Sequence, residues 1–438
     1  MSFDGNKILN RLTRLSEVKT MKQVQPMTYS LFPGYHCPLL GAMLTVKEIE
    51  DSVMLVIGPD ECGLYTKMAT SNGGMKPKGC EIFSVVLEQH DVTFGCQQKL
   101  DEAIEELMDE YTPKAVYLVT TCVVEVIGDD IESMAELYSD QYGIPFIVVH
   151  AENFKTDDHL PGIEHTLDVS LEIMEKQEPE DCVNVLGLRL GDFEKTEVYR
   201  ILTGMGIKTH MNLPGKTTVE LIRTAPKAKC NLVVHPVGLP LAKKMQKDFG
   251  VPYVIFERYS HPDRILRCYE DLFRTLGREM PQEPVEQHAR MHQKIADAKP
   301  QLEGKSYISG NTALCNYELH SFLANVLGVK PQLLQISYLD EESRIFREEL
   351  MQVCDPLVTR AANMTAMQYI YPVLKPDYVI GGGGPQVMRE NAIAPVRMLQ
   401  AYNTLGFDVC DMVVGAFLQA ESDSRKMKSA LKMKEAVR

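Results

Sequence analysis

At 438 residues the chain has length for about three domains at roughly 150 residues each. With 45% hydrophobic and 24% charged residues it is neither collagen-like, disordered nor low-complexity. A net charge of −14 argues against general binding to nucleic acid or to an anionic membrane.

No apolar run reaches the ~18 residues of a membrane span, and the start Met1-Ser2-Phe3-Asp4-Gly5-Asn6-Lys7 lacks the apolar stretch of a secretion signal. The expected location is therefore the cytosol, with no membrane partner. There, disulfides are not the default use of the eleven cysteines, which leaves packed thiols, metal ligands or catalytic thiols.

In chain order, short apolar runs alternate with helical patterns. A strand is predicted over 53–57, a helix over 97–110 with Leu100, Ile104, Leu107 and Met108 on one face, and a strand over 115–119. A helix over 129–142 ending at Gly143 and a strand over 146–149 follow. The rhythm recurs with strands over 183–188, 231–235 and 252–256 and a helix over 239–249. A polar segment containing Pro281, Pro284 and Pro300 then separates a third unit, with strands over 305–309 and 377–380. The fold class is α/β, three Rossmann-like domains with mostly parallel sheets flanked by helices, divided as 1–178, 179–300 and 301–438.

Cys62 and Cys122 each come just past a predicted buried strand, in Gly58-Pro59-Asp60-Glu61-Cys62-Gly63 and Thr120-Thr121-Cys122-Val123-Val124-Glu125. Ligands of open α/β sheets collect at that end of the strands. Cys37 lies in a loop bounded by proline and glycine, Phe32-Pro33-Gly34-Tyr35-His36-Cys37-Pro38. No C-x-x-C pair occurs among them, so a zinc ribbon or a thioredoxin-like site is disfavoured. The residues alone leave two readings: packed thiols, or a cluster site that takes its fourth ligand elsewhere, as at a subunit interface.

These segments carry a family resemblance. Cys37-Pro38-Leu39-Leu40-Gly41-Ala42, the two motifs above, Thr93-Phe94-Gly95-Cys96 and Val126-Ile127-Gly128-Asp129-Asp130-Ile131 resemble, in order, the nitrogenase component 1 family. The likeness is densest over residues 30–150 and looks closer to the β-type subunit than to the α-type. The resemblance implies three Rossmann-like domains and an iron–sulfur cluster at a subunit interface, 8Fe–7S P-cluster-like or 4Fe–4S, with Cys37, Cys62 and Cys122 as cofactor and metal ligands. It also implies a second component 1 subunit, in a heteromer or homodimer, and a separate ATP-dependent iron–sulfur reductase. ATP binding falls to that partner, since no Walker A motif occurs here. Cys80 and Cys96 are expected near the cluster as packed or supporting thiols.

The family pattern also breaks. The α-type subunit holds a large catalytic cofactor through a cysteine in its second domain and a histidine near its C-terminus. Here His235 stands at the first position, Cys230 is displaced along the strand, and the last histidine is His320. The chain is thus expected not to ligate such a cofactor itself, although a partner subunit can. His235 is read as a hydrogen-bonded structural histidine or a ligand contact, Gly381–Gly384 as a strand-to-helix turn, and the acidic runs as solvated helix faces apart from Glu125 and Asp129. The preferred function is a subunit of a two-component nitrogenase-like reductase that accepts low-potential electrons through the cluster. A scaffold on which a metal cluster matures without turnover is the alternative, and a purely structural subunit the third. The catalytic residues and the substrate are not legible.

Overall fold

A computed structural model describes residues 4–28, 37–71, 79–152, 158–189, 191–310, 316–360, 362–398 and 401–436. Residues 32–36 of the loop before Cys37 lie outside the described residues.

Three sheets organise the chain. The first is parallel in the order β2-β1-β3-β4, with β1 Ser52–Gly58, β2 Cys80–Val86, β3 Ala115–Thr120 and β4 Phe146–His150. The second is parallel in the order β8-β7-β5-β6, with β5 Glu180–Leu186, β6 Lys208–Leu213, β7 Ala228–Val233 and β8 Tyr253–Ile255. In the third, β9 Ser306–Ser309, β10 Lys330–Gln335, β11 Leu357–Thr359, β12 Tyr378–Ile380 and β13 Ala394–Val396 run parallel in the order β11-β10-β9-β12-β13. Thr13–Arg14, counted with the first unit in the division by sequence, pairs antiparallel with β11 at its outer edge.

The apolar runs explain why these sheets are covered on both faces. Along β1, Val53, Leu55 and Ile57 enter one buried cluster while Met54 and Val56 enter another. The second of these clusters continues to Leu186, Val233 and Leu241 of the second sheet and its helix, which joins the first two units. A further cluster, with Val183, Leu232, Tyr307 and Leu334, joins the second and third.

Seven helices matter below: α1 Pro38–Val46, α2 Asp60–Ser71, α3 Cys122–Ile127, α4 Leu160–Val169, α5 Pro262–Leu276, α6 Gln282–Leu302 and α7 Phe407–Ala436. The α5 stripe Ile265, Cys268, Tyr269, Leu272, Phe273 and Leu276 is buried, the spacing of one helix face.

The segment expected to be a polar separator is instead the continuous helix α6. Pro281 is its N-cap residue and Pro284 lies in its first turn, where a missing N–H costs little. Pro300 lies in the last turn, and Met291, Ile295, Ala298 and Leu302 bury one side. The strand β2 was not anticipated, because its inward and outward positions mix Cys80, Phe83 and Val85 with Glu81 and Ser84. As expected, Gly381–Gly384 forms the turn between β12 and a short helix at Pro385–Glu390.

Candidate functional site

All three candidate cysteines stand at helix starts. Cys37 is the N-cap residue of α1, with Pro38 pre-setting the first turn. Cys62 lies in the first turn of α2, after the end of β1, and Cys122 opens α3, after the end of β3. The aligned peptide dipoles of a helix favour negative charge at its N-terminal end, and a thiolate ligand is negatively charged.

Close packing at glycines sets these starts. A Cβ on Gly41 would lie 1.9 Å from the His159 carbonyl oxygen, and one on Gly162 would lie 1.8 Å from that of Pro38. Only hydrogen at both positions lets α1 and α4 approach so closely, and this crossing fixes the turn that carries Cys37. Gly58, at the end of β1, meets Thr121 in the same way, at 2.2 Å from its Oγ1. The Thr121 N–H also donates to the Ile57 carbonyl at 3.2 Å. The Gly-Pro-Asp-Glu-Cys and Thr-Thr-Cys segments are therefore held against each other.

Cys37 and Cys62 pack, partly buried, on the same apolar cluster as Tyr65. Burial, then the charges of Cys37, Cys122 and Glu61, push the Cys62 thiol up to about 11. The Cys62 thiolate is thus disfavoured without a cation, and a metal binding it would displace its proton. Among the described residues the three sulfurs do not all lie within 4.8 Å of one another. Fewer than four thiolates from one chain leaves a ligand position for another source.

The neighbouring candidates have other work. The Glu125 carboxylate accepts from the Thr120 hydroxyl and lies 2.6 Å from His150 Nδ1, while His150 Nε2 is 2.7 Å from Glu132. Burial opposes protonation of His150, but the bonds to Glu125 and Glu132 raise its pKa. Asp129 accepts the Cys96 N–H at 2.9 Å, which fixes the turn before the Gln97–Glu110 helix. Cys96 is fully buried, and burial followed by the Asp129 carboxylate pushes its thiol up to about 12.

Cys80 corrects an expectation. It pairs with Ser52 at the opposite end of β1 from Gly58, about 20 Å away along a strand. It is a packed thiol, with no part at the cysteine rim.

A second rim lies at the carboxyl edge of the second sheet. His235 follows β7 and caps the next turn, its Nδ1 accepting the Val237 N–H at 3.2 Å. Its ring keeps some exposed surface yet is deeply enclosed. Burial, then Arg189, Arg258 and His159, hold its pKa well below the usual histidine value. Arg189 follows β5 and meets His159 Nε2 at 3.0 Å, with Asp158 2.9 Å from the other side of that ring. Arg258 follows β8 and donates to the carbonyls of Tyr402 at 2.9 Å and Thr404 at 3.1 Å. Burial and the charge of Arg189 bring the Arg258 pKa down to about 10. A cleft of about 790 Å³ runs past His159 and Arg189 between α1, α4 and the edge of β6. His235 and Arg258 do not line this cleft, whose charged lining mixes Lys47, Arg189, Lys208 and Lys216 with Glu48, Asp192 and Glu194.

Sequence reasoning reached His235 and missed the arginines, although each comes three residues after a strand end, the criterion that selected the cysteines. Cys230 is fully buried within β7, its thiol pushed up to about 12 by burial. His320 is buried against the Tyr307 hydroxyl at 2.8 Å. Both are core residues.

Comparison with known proteins agrees with this architecture. A solved structure of nitrogenase Cp1 at pH 6.5 superposes with a TM-score of 0.75 over 90% of this chain and 94% of its own, at 17% identity, a likeness of fold. Among curated proteins, the nitrogenase iron-molybdenum cofactor biosynthesis protein NifE of Nostoc sp. is 27% identical over 82% of this chain and 76% of its own length. NifE of Clostridium pasteurianum is 33% identical over 52% of this chain, which spans about half of that relative's length (51%). The nitrogenase molybdenum-iron protein alpha chain of Clostridium pasteurianum is 28% identical over 60% of this chain and 53% of its own. The model of the nitrogenase component 1 type oxidoreductases matches residues 37–408, and the chain belongs to that family.

Proposed function

We propose that the chain is a scaffold subunit on which a complex metal cluster is matured and handed on, and that Cys37, Cys62 and Cys122 hold an iron–sulfur cluster shared with a second component 1 subunit. This reading reverses the order of preference drawn from the sequence. The observation that carries it is the second rim. His235 stands where the α-type pattern has a cysteine, with the charges of Arg189 and Arg258 acting on it, so cargo there would be held by charge and hydrogen bonding and leave without breaking a metal–thiolate bond. Support comes also from the relatives named as cofactor biosynthesis proteins. We further assign the chain to the cytosol and divide it at about residues 178 and 300, a division consistent with the three sheets.

When bound, the iron–sulfur cluster supplies one-electron chemistry. The chain's own residues fix its position through the α1–α4 crossing and the Gly58–Thr121 contact, and keep apolar surface behind Cys37 and Cys62. The second reading, a reductase subunit served by an ATP-dependent iron–sulfur partner, is favoured by the alpha-chain likeness.

The test is made on anaerobically purified complex. Iron and acid-labile sulfide per chain should fall in Cys122→Ala, and retention of full iron there removes Cys122 as a ligand. Cluster transfer to an apo-acceptor without turnover of reducible substrates supports the scaffold. Turnover with reductant, ATP and the partner, without transfer, returns the reductase.

A further inference from the structure

We infer that Asp263, His288 and His292 form a binding site for a divalent first-row transition metal, separate from the thiol rim. The three converge from two helices. Asp263 lies in the first turn of α5, and His288 and His292 are one turn apart on α6, the i,i+4 spacing that sets two imidazoles on one face. Asp263 Oδ1 is 2.7 Å from Nε2 of His288 and 2.7 Å from Nε2 of His292, and those two nitrogens are 3.1 Å apart. Among the described residues this is the one group of three or more histidine, cysteine, aspartate or glutamate side chains whose ligand atoms all lie within 4.8 Å of one another.

Protons do not satisfy this arrangement. If both imidazoles donate to the carboxylate, two N–H groups face each other at 3.1 Å. If one imidazole instead accepts from the other, its bare nitrogen faces the carboxylate at 2.7 Å, acceptor to acceptor. A cation at the centre turns all three atoms into acceptors of one charge and removes the conflict.

The surroundings hold the ligands in place. The N–H groups of Ser260 and His261 donate to Glu318 at 2.7 and 2.9 Å, which anchors the start of α5. Lys294, two residues past His292 on α6, pairs with Asp411 of α7 at 2.7 Å, and the Phe407 ring meets that of His288 edge-on at 6.4 Å. Support of this kind orients metal ligands. Two imidazoles and one carboxylate suit zinc, nickel, cobalt or ferrous iron rather than magnesium or calcium, which prefer all-oxygen sites. Three protein ligands leave a position open to solvent, and His292 and Asp263 are each 46% exposed by side chain. The ion joins the helix beneath the second sheet to the helix that leads into the third.

Cobalt(II) titration of the full chain, prepared anaerobically, tests the site. Wild type and Cys122→Ala should both bind one cobalt with d–d bands free of thiolate-to-metal charge transfer, counted separately from any cobalt at the thiol rim, which charge-transfer bands report. His288→Gln and His292→Gln should each lose that equivalent, and zinc should raise the melting temperature of wild type but not of His292→Gln. His292→Gln, being partly exposed, is expected to melt like wild type without metal, so its result stands even if His288→Gln fails to fold. No such cobalt band in wild type, or a band unchanged in His292→Gln, overturns the assignment.

Discussion

Two edges in the same position of two similar sheets carry opposite chemistry. Past β1 and β3 of the first sheet come Cys62 and Cys122, partly buried thiols whose ligating form is anionic. Past β5, β7 and β8 of the second come Arg189, His235 and Arg258, enclosed groups that are cationic or donate hydrogen bonds. Topology decides where a ligand sits, and the two or three residues after each strand decide its sign. On the proposed function the thiol edge takes a cation and the second edge holds its cargo through charge and hydrogen bonds, so a disturbance at one should leave the other's occupant in place.

The comparison breaks most severely if the α1–α4 crossing goes. Gly41→Val places carbon against the His159 carbonyl and should cost about 3 kcal/mol through overpacking, with lost iron as well. Chemical denaturation and iron analysis measure both, and wild-type stability would mean the crossing does not set the Cys37 turn. Next, Arg258→Ala strands the carbonyls of Tyr402 and Thr404 and should cost about 2 to 3 kcal/mol with iron unchanged. Cys122→Ala should show the reverse, with iron lost and stability altered by less than about 1 kcal/mol. If both variants lower iron equally, the two edges are not separable.

A smaller effect comes from protons. Burial brings the His320 pKa down from 6.5 to about 3. The unfolded chain then binds a proton that the folded chain refuses between those values, so stability is present above pH 6.5 and is lost as pH falls. The loss is about 2 kcal/mol by pH 5. His320→Asn should flatten that part of the stability profile, and an unaltered slope would show that His320 is not its source. His235 is depressed in the same direction and contributes with the same sign. The smallest change is Lys244→Ala, which removes a bond of 2.7 Å to Asp168 at the end of α4. With Lys244 half exposed and screened by solvent, the cost should stay below about 0.5 kcal/mol, and iron should not change.

Much of the fold was legible because buried parallel strands read as unbroken apolar runs. The Leu100-Ile104-Leu107 stripe gave the helix at Gln97–Glu110, and Gly143 marked the end of the next one. β2 escaped because Glu81 and Ser84 interrupt its pattern, and α6 because Pro281 and Pro284 fall at its start, where a helix tolerates them, and Pro300 interrupts only its last turn. The thiol edge was legible through strand ends and motif order. The basic edge was less so, because an arginine in sequence reads as surface; its burial depends on Tyr402 and Thr404, some 145 residues further on. Likewise, nothing in the chain order pairs Asp263 with His292, since their meeting depends on how α5 and α6 pack.

The short pairing of Thr13–Arg14 with β11 affects how the chain completes itself. The Ser16 hydroxyl and N–H bind the Asp355 carboxylate at 2.7 and 3.0 Å, and the Arg360 N–H donates to the Gln25 carbonyl at 3.1 Å. The segment around residues 13–25 is thereby stitched to an edge more than 300 residues further along the chain, and the outer strand of the last sheet stays open until that segment docks. An open strand edge is a template for self-association. A chain starting after residue 28 is therefore expected to aggregate through β11 while its thiol edge remains assembled. Light scattering beside iron analysis would reveal that combination.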